Sequence, residues 1–349
     1  MHKLNRAGRR ARFSCGPATR LALLPLAAAA TLAVAQPVEV KFASSAPPTS
    51  PWARQIDRTA AGVLEESKGA LKITPFYNSQ LGSENDAIAQ ISRGRIEMGS
   101  FTLSAIALQV PEVALLQLPL YFTSTAQRDC VLDNHVAKYT HDALERKNLK
   151  FIGWGEVGPV HLPGKKAYVT PADVRGIKVG VVTNKQNNEF WKAMGANPVP
   201  TAVAEVGSSM QTGLIDTYPT PYAFYLPSGL NKIAPFMVKL PLWDAAGITV
   251  MNKGVWDKLP PESRAAIERD RVKHPSALLR GEIRAVDTAL TGAHKQAGGT
   301  VVEATPEQRA EWRNALGGFW GAMAKDLGAD GEKFYALMEA GKKACEGAK

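Results

Sequence analysis

Residues 173–221 restrict the fold more than any other stretch. They read DVRGIKVGVVTNKQNNEFWKAMGANPVPTAVAEVGSSMQTGLIDTYPTP. The run 177–182 is β-branched and lies between Gly176 and the polar pair Thr183-Asn184, so it predicts a short strand. Thr183 or Asn184 can cap the helix that follows, which Gly195, Pro198 and Pro200 then stop. A second short helix follows residues 200–205 and ends near Gly213, and residues 214–217 read as another strand. Strand–helix–strand–helix–strand is the pattern of a small α/β domain. In such sheets ligands gather at the carboxyl ends of strands, which here means Thr183-Asn184 and residues 217–221.

The chain has 349 residues, 45% hydrophobic and 21% charged, enough for a large core and two domains. Its net charge is +10, but six basic residues with no acid among them precede Leu21, and removing six leaves +4. The remainder has no basic tract of the kind that binds nucleic acid. Residues 1–35 combine a basic start, an apolar run and small residues at Ala33 and Ala35, the three parts of a secretory signal peptide cleaved near Ala35. An exported, periplasmic protein is the expectation. Cys15 leaves with that leader. Cys130 and Cys345 remain, either bonded or as two separate thiols.

Further strands are expected at 38–42, 71–76, 96–100, 151–155 and 245–251. Helices are expected at 51–67, 84–93, 124–147 and 305–343. A long helix at 261–297 should be split by Pro275, which lacks an N–H and clashes with the preceding turn. The chain builds one lobe, leaves it near residue 158, builds a second and returns. The expected class is therefore α/β, two-lobed like the periplasmic binding proteins, with a hinge cleft and a long bridging helix. Lobe I takes 36–158 plus about 246–275, and lobe II takes 159–245 plus about 276–349. Residues 91–98 and 210–217 share a helix end, a glycine, an isoleucine and an acid, consistent with two similar lobes facing one cleft.

No phosphate loop, nucleophile elbow, H-E-x-x-H or C-x-x-C is present, and the six histidines are scattered. No catalytic residue, cofactor or metal is expected. An enzyme reading would have to rest on Glu84, Glu156 or His161 as acid and base. Sites between lobes favour small molecules held by polar donors and aromatic walls. The candidate ligand-binding residues are Ser45, Trp52, Glu84, Phe101, Thr102, His161, Gly180, Thr183, Asn184, Thr220, Tyr222 and Trp243.

The order of G-I-K-V at 176–179, M-G-A-N-P-V-P at 194–200 and Q-T-G at 211–213 resembles the DctP-type solute-binding proteins of TRAP transporters. So do Q-L-G at 80–82, G-R-I-E-M at 94–98, L-P-L-Y-F at 118–122 and T-P-A-D-V-R-G at 170–176. The resemblance covers about residues 38–345. It implies two α/β lobes, a hinge-bridging helix and capture of a small organic solute, an organic acid. It also implies delivery to TRAP membrane subunits that import on an ion gradient. The alternative partner is a membrane sensor to which the bound solute is presented.

This chain departs from the family pattern at the pocket. The usual arginine clamp for a carboxylate falls on Gly180 and a second frequent arginine on or near Val160. The usual Phe falls on Val203 and the usual Asn on Thr220. A glycine offers neither charge nor a fork of donors. The expectation is a less acidic or larger solute, with Gly180 leaving room beside Trp243 or Tyr222. Otherwise a carboxylate is held by His161, Lys185 and the N–H groups at the start of the Asn184 helix.

Overall fold

The computed structural model describes residues 36–182 and 185–348. The expected leader at 1–35 and the pair Thr183-Asn184 lie outside the described residues.

Strand β1 (Val38–Ala43) leads into helix α1 (Pro51–Glu66). Ser50 caps α1 by accepting from the Ala53 N–H, Pro51 fills a position with no N–H to satisfy, and Ala53, Ile56 and Val63 form the buried stripe. After β2 (Leu71–Phe76), Ser83 caps α2 (Glu84–Ser92), and Gly94 follows at φ 74°. Then come β3 (Met98–Thr102), α3 (Leu103–Ile106), α4 (Thr125–Val131) and α5 (Ala137–Glu145). A π-turn over Leu132–Val136 joins α4 to α5, so the helix expected at 124–147 is present with one widened turn. Strand β4 (Leu149–Gly164) runs 16 residues, about three times the five anticipated at 151–155.

The organising stretch folds as β5 (Lys178–Val181), α6 (Lys185–Ala193), β6 (Asn197–Pro200) and α7 (Val206–Thr212). Gly213 closes α7 at φ 73°, the left-handed cap that glycine adopts without a Cβ penalty. The strand expected at 214–217 does not form. Thr217 and Thr220 make single bridges, to Val179 and to His161. Pro219 and Pro221 have no N–H to donate, so no ladder can extend there. Conversely, β6 was hidden by the two prolines that read as a helix stop. Its ladder with β5 is an edge pairing that tolerates them.

The return path is α8 (Tyr222–Tyr225), β7 (Phe236–Asn252), α9 (Lys253–Lys258), α10 (Pro261–Lys273) and α11 (Ser276–Gln296). Pro275 separates α10 from α11, as its missing N–H requires. Finally β8 (Thr300–Glu303) precedes α12 (Pro306–Leu316), α13 (Phe319–Asp326) and α14 (Gly328–Ala344). The capping box of Thr305 and Gln308 starts α12. Positive φ at Gly317 and Gly328 breaks what the sequence suggests is one helical tract.

One mixed sheet has the order β2-β1-β3-β7-β4, with β8 also on β7. β1 is parallel to β2 and β3, and β7 is antiparallel to β3 and β4. The 17-residue β7 and the long β4 pair along nearly their whole length, from Leu149↔Asn252 to Gly164↔Phe236. The second half of β7, paired with the first half of β4, sits beside β3, and the first half of β7, paired with the second half of β4, sits beside β8 and the His161–Thr220 bridge. That bridge, with Val179↔Thr217, links the two-stranded β5–β6 sheet to β4. Register shifts occur between Glu156 and Gly158 and between Val160 and Leu162, where the chain passes from one sheet region to the other. Gly158 there has φ 118°, a conformation L side chains rarely adopt.

Core residues divide the same way. Ile88, Phe101, Leu144 and Ile248 pack in one cluster, whereas Val179, Phe190, Trp191 and Trp312 pack in another. The sequence places residues from about 276 to 349 in lobe II. Met323, Phe334 and Met338 of α13 and α14 instead join the cluster of Ile88 and Leu144 in the first lobe. The apolar face of α14 is one cause of this. The other is a disulfide between Cys130 and Cys345, with Cα atoms 6.0 Å apart. The question left open by the sequence is thus answered for bonding.

The bridge spans 215 positions of sequence, a large loop for the unfolded chain to close. Thiol labelling of the folded, unreduced protein should find neither Cys130 nor Cys345 free. Cys345→Ser should cost about 2–5 kcal/mol of unfolding free energy, read from the urea midpoint.

Candidate functional site

A cleft of about 1370 Å³ opens where β4 and β7 pass from the first sheet region to the second. From the first lobe its wall takes Ser44–Pro47, Trp52, Glu84, Phe101, Thr102 and Gln117. From the second it takes Gly180, Gln186, Trp191, Val203, Tyr218, Thr220 and Phe224. Trp154, Glu156, Val160, Trp243 and Thr249 contribute from the two long strands themselves. Gln186 donates to the Gln117 carbonyl at 2.6 Å, joining the two sides. Trp243 also borders a second cavity of about 410 Å³ that lies on α12, beside Arg309 and Arg313.

Charge around the cleft is arranged in three groups. The first is a buried ion network under the strand crossover. Arg128 meets Glu156 at 2.5 Å and Asp129 at 3.0 Å. Arg284 meets Glu156 at 3.0 Å and Asp129 at 2.8 Å, and Arg280 meets Asp133 at 2.5 Å. Arg128 and Arg280 are each 1% exposed, so these ions depend on one another rather than on water. Burial pushes the Glu156 carboxyl up, against the pull of Arg128 and Arg284. Burial also acts upward on Asp129, but the Arg284 hydrogen bond and the charges of Arg128 and Arg280 outweigh it and hold Asp129 low. Trp52 is tied to the same place, because its indole N–H donates to the Glu156 carbonyl at 2.9 Å. The network thus joins α4, β4 and the long helix α11.

The second group is at the α10–α11 junction, where Asp270 meets His274 at 3.0 Å and Arg271 meets Glu268 at 2.7 Å. The third is Glu84 alone. Its Oε1 accepts from the Ser45 hydroxyl at 3.1 Å and the Thr102 N–H at 3.2 Å, and its Oε2 accepts from the Thr102 hydroxyl at 2.7 Å. Among the described residues it has no cationic partner. Burial pushes its pKa up, while Thr102 and Ser45 draw it down.

The comparisons with known proteins agree on one group. The sequence profile of the bacterial extracellular solute-binding proteins, family 7, matches residues 42–326. The chain belongs to that family. It is 24% identical to the C4-dicarboxylate-binding periplasmic protein DctP of Rhodobacter capsulatus, over 85% of this chain and 90% of the relative. It is 30% identical to the 2,3-diketo-L-gulonate-binding periplasmic protein YiaO of Escherichia coli, over 58% of this chain and 62% of the relative. Among solved structures, a TRAP periplasmic solute-binding protein of Roseobacter denitrificans with bound β-D-glucuronate superposes with a TM-score of 0.79. The two are 25% identical, with 87% of this chain and 99% of that one covered. The two-lobed architecture expected from the sequence is the architecture of these structures.

In this solute-binding protein Ser45, Trp52, Glu84, Phe101, Thr102, Gly180, Thr220 and Trp243 all border the cleft. Thr183 and Asn184, with the N–H groups they would present, lie outside the described residues. His161 and Tyr222 do not reach the wall. They are 2% and 0% exposed and pack on each other with ring centroids 5.7 Å apart, behind the cleft and against Asp287. Alternation along β4 explains His161, because Val160 faces the cleft and the next residue faces the opposite way, while the Tyr222 N–H at the start of α8 donates to Asp287 at 3.1 Å. Lys185 does not border the cleft and pairs with Asp326 at 2.9 Å.

The room expected at Gly180 is also absent. A Cβ there would meet Ile215 Cδ1 at 2.6 Å and Tyr218 Cδ2 at 3.0 Å. Gly180 is glycine because Ile215 and Tyr218 approach so closely, and Tyr222 has no access to it. Sequence reasoning missed Tyr218, Trp154, Trp191 and Gln186. The Trp191 indole N–H has no partner among the described residues. No motif marks any of these four.

Two substitutions check this geometry. Arg128→Met leaves Glu156 short of a buried partner, and unfolding free energy should fall by about 3–5 kcal/mol in urea titration. Gly180→Ala should cost about 1–3 kcal/mol by overpacking, measured by thermal melting, and Gly180→Arg should not restore a carboxylate clamp.

Proposed function

We propose that this chain is an extracytoplasmic receptor that captures a small organic solute in its cleft and delivers it to the membrane subunits of a TRAP-type importer driven by an ion gradient. The observation that carries this reading is the 1370 Å³ cleft at the crossover of β4 and β7. Aromatic walls from both lobes, with a few polar groups among them, suit a small molecule. The long strands and α11 are the elements that both lobes share, so bending at the register shifts would close the cleft. Relatives are solute-binding transport proteins, and their names give organic acids: C4-dicarboxylates, 2,3-diketo-L-gulonate and glucuronate. Organic acids are the class that this likeness brings with it.

Export by the leader at 1–35 and residence in the periplasm fit that role. No described helix is long and apolar enough to cross a membrane. The lobe division that best fits the packing sets residues 36–158, the return of β7, and α13–α14 on one side. On the other side are 159–245 and the segment from β8 to α12.

Mass spectrometry of solute released from the mature protein (residues 36–349), with a thermal-shift screen of acids, polyols, aromatic acids and amino acids, tests the function. A true solute at a hundredfold excess over its Kd should stabilise the protein by about 2.7 kcal/mol. A screen with no shift and no released solute would refute the receptor reading, and conversion of a bound solute would replace it with an enzyme.

A further inference from the structure

Glu84 is held in the cleft wall by donors from the β1–α1 loop and from the end of β3, not by a cation among the described residues. Ser45 belongs to the β1–α1 loop, and Thr102 is the cap of α3. An ionised carboxylate accepts about four hydrogen bonds, and three are in use. Among the described residues Oε2 has only the Thr102 hydroxyl, so one acceptor position remains on a side chain that borders the cleft. Tyr218 stands close on the second lobe. Burial and the charge of Glu84 push its phenol up to about 12.

The remaining charges do not favour an anion. No lysine is among the described residues of the wall. The single arginine, Arg271, is engaged by Glu268. Glu156 and Asp270 also border the cleft, each paired, with Arg128 and Arg284 and with His274. A carboxylate brought into this space would lose hydration beside Glu84 without a free cation among the described residues of the wall to replace it. Hydroxyl groups, by contrast, find an acceptor at Glu84 and hydroxyls at Ser100, Thr220 and Thr249. The apolar face of a ring finds Trp52 and Trp243.

We propose that this cleft reads the hydroxyl groups of its solute through Glu84, so that an uncharged polyhydroxylated solute fits as well as the corresponding acid. The proposal rests on the receptor reading and narrows it. Glu84 sets specificity, and a carboxylate on the solute is dispensable.

Titration calorimetry on the mature protein tests this with a matched pair, galactose and galacturonate, plus succinate, which has two carboxylates and no hydroxyl. The compounds from the screen that stabilise the protein are titrated alongside. Galactose should bind within about tenfold of galacturonate, and succinate at least about a hundredfold more weakly than either. Glu84→Gln should weaken the hydroxylated ligands by at least about tenfold and leave succinate unchanged. Thr102→Val, which removes the hydroxyl that positions Glu84, should act in the same direction. Thermal melting of both variants confirms that they fold, and Thr102→Val decides the matter if Glu84→Gln does not. If neither sugar binds, the screen compounds decide. A hydroxylated, uncharged hit weakened by Glu84→Gln supports the proposal, and hits confined to carboxylates overturn it. A galacturonate preference above a hundredfold, tight succinate binding, or unchanged affinity in both variants also overturns it. None of those three results harms the receptor reading, which fails if no solute binds at all or if a bound solute is converted.

Discussion

The pairing of β4 with β7 is the constraint on which the rest depends. Each is long enough to belong to two sheet regions, and each passes between them at the same level. Backbone hydrogen bonds cannot bend freely, so the passage is made at register shifts, with Gly158 taking a left-handed φ. The shifts leave Glu156 buried beside the crossover, and a buried carboxylate must be paired. Arg128 from α4 and Arg284 from α11 supply that pairing and thereby fix two helices to the crossover. The cleft opens at the same crossover.

Stability and specificity are therefore separated in this molecule. The arginines that the chain does bury serve the crossover, each satisfied by acids of its own fold. The cleft wall keeps aromatic rings, hydroxyls and one carboxyl without a cation. Relatives named for organic acids share the architecture, so the fold leaves the ligand chemistry open. The side chains that border the cleft decide it.

Much of the fold was legible because local chemistry decided it. Ser50-Pro51, Ser83 and Thr305 start helices, Gly213 ends one, and Pro275 divides the longest, whatever the neighbours do. The strand expected at 71–76 formed with those bounds. Errors arose where distant residues decided. Pro198 and Pro200 looked like breakers but lie on an edge that needs few donors, and residues 214–217 looked like a strand but are followed by prolines. The site was legible as a set of loop positions, since eight of the named residues border one cleft. Orientation was not legible. His161 turns away because β4 alternates, Tyr222 is buried against it at the start of α8, and Gly180 is crowded by Ile215, which lies thirty-five positions further along the chain.

The bond between Cys130 and Cys345 makes a covalent ring of everything between them. β4 and β7, the whole second sheet region and the bridging helix lie inside that ring. A protease that cuts an exposed loop anywhere in it produces two chains that stay attached. Both remain in register around the cleft until a reductant releases them. In an oxidising compartment, damage to a loop would thus be survivable where the same cut in a reduced protein would separate its halves.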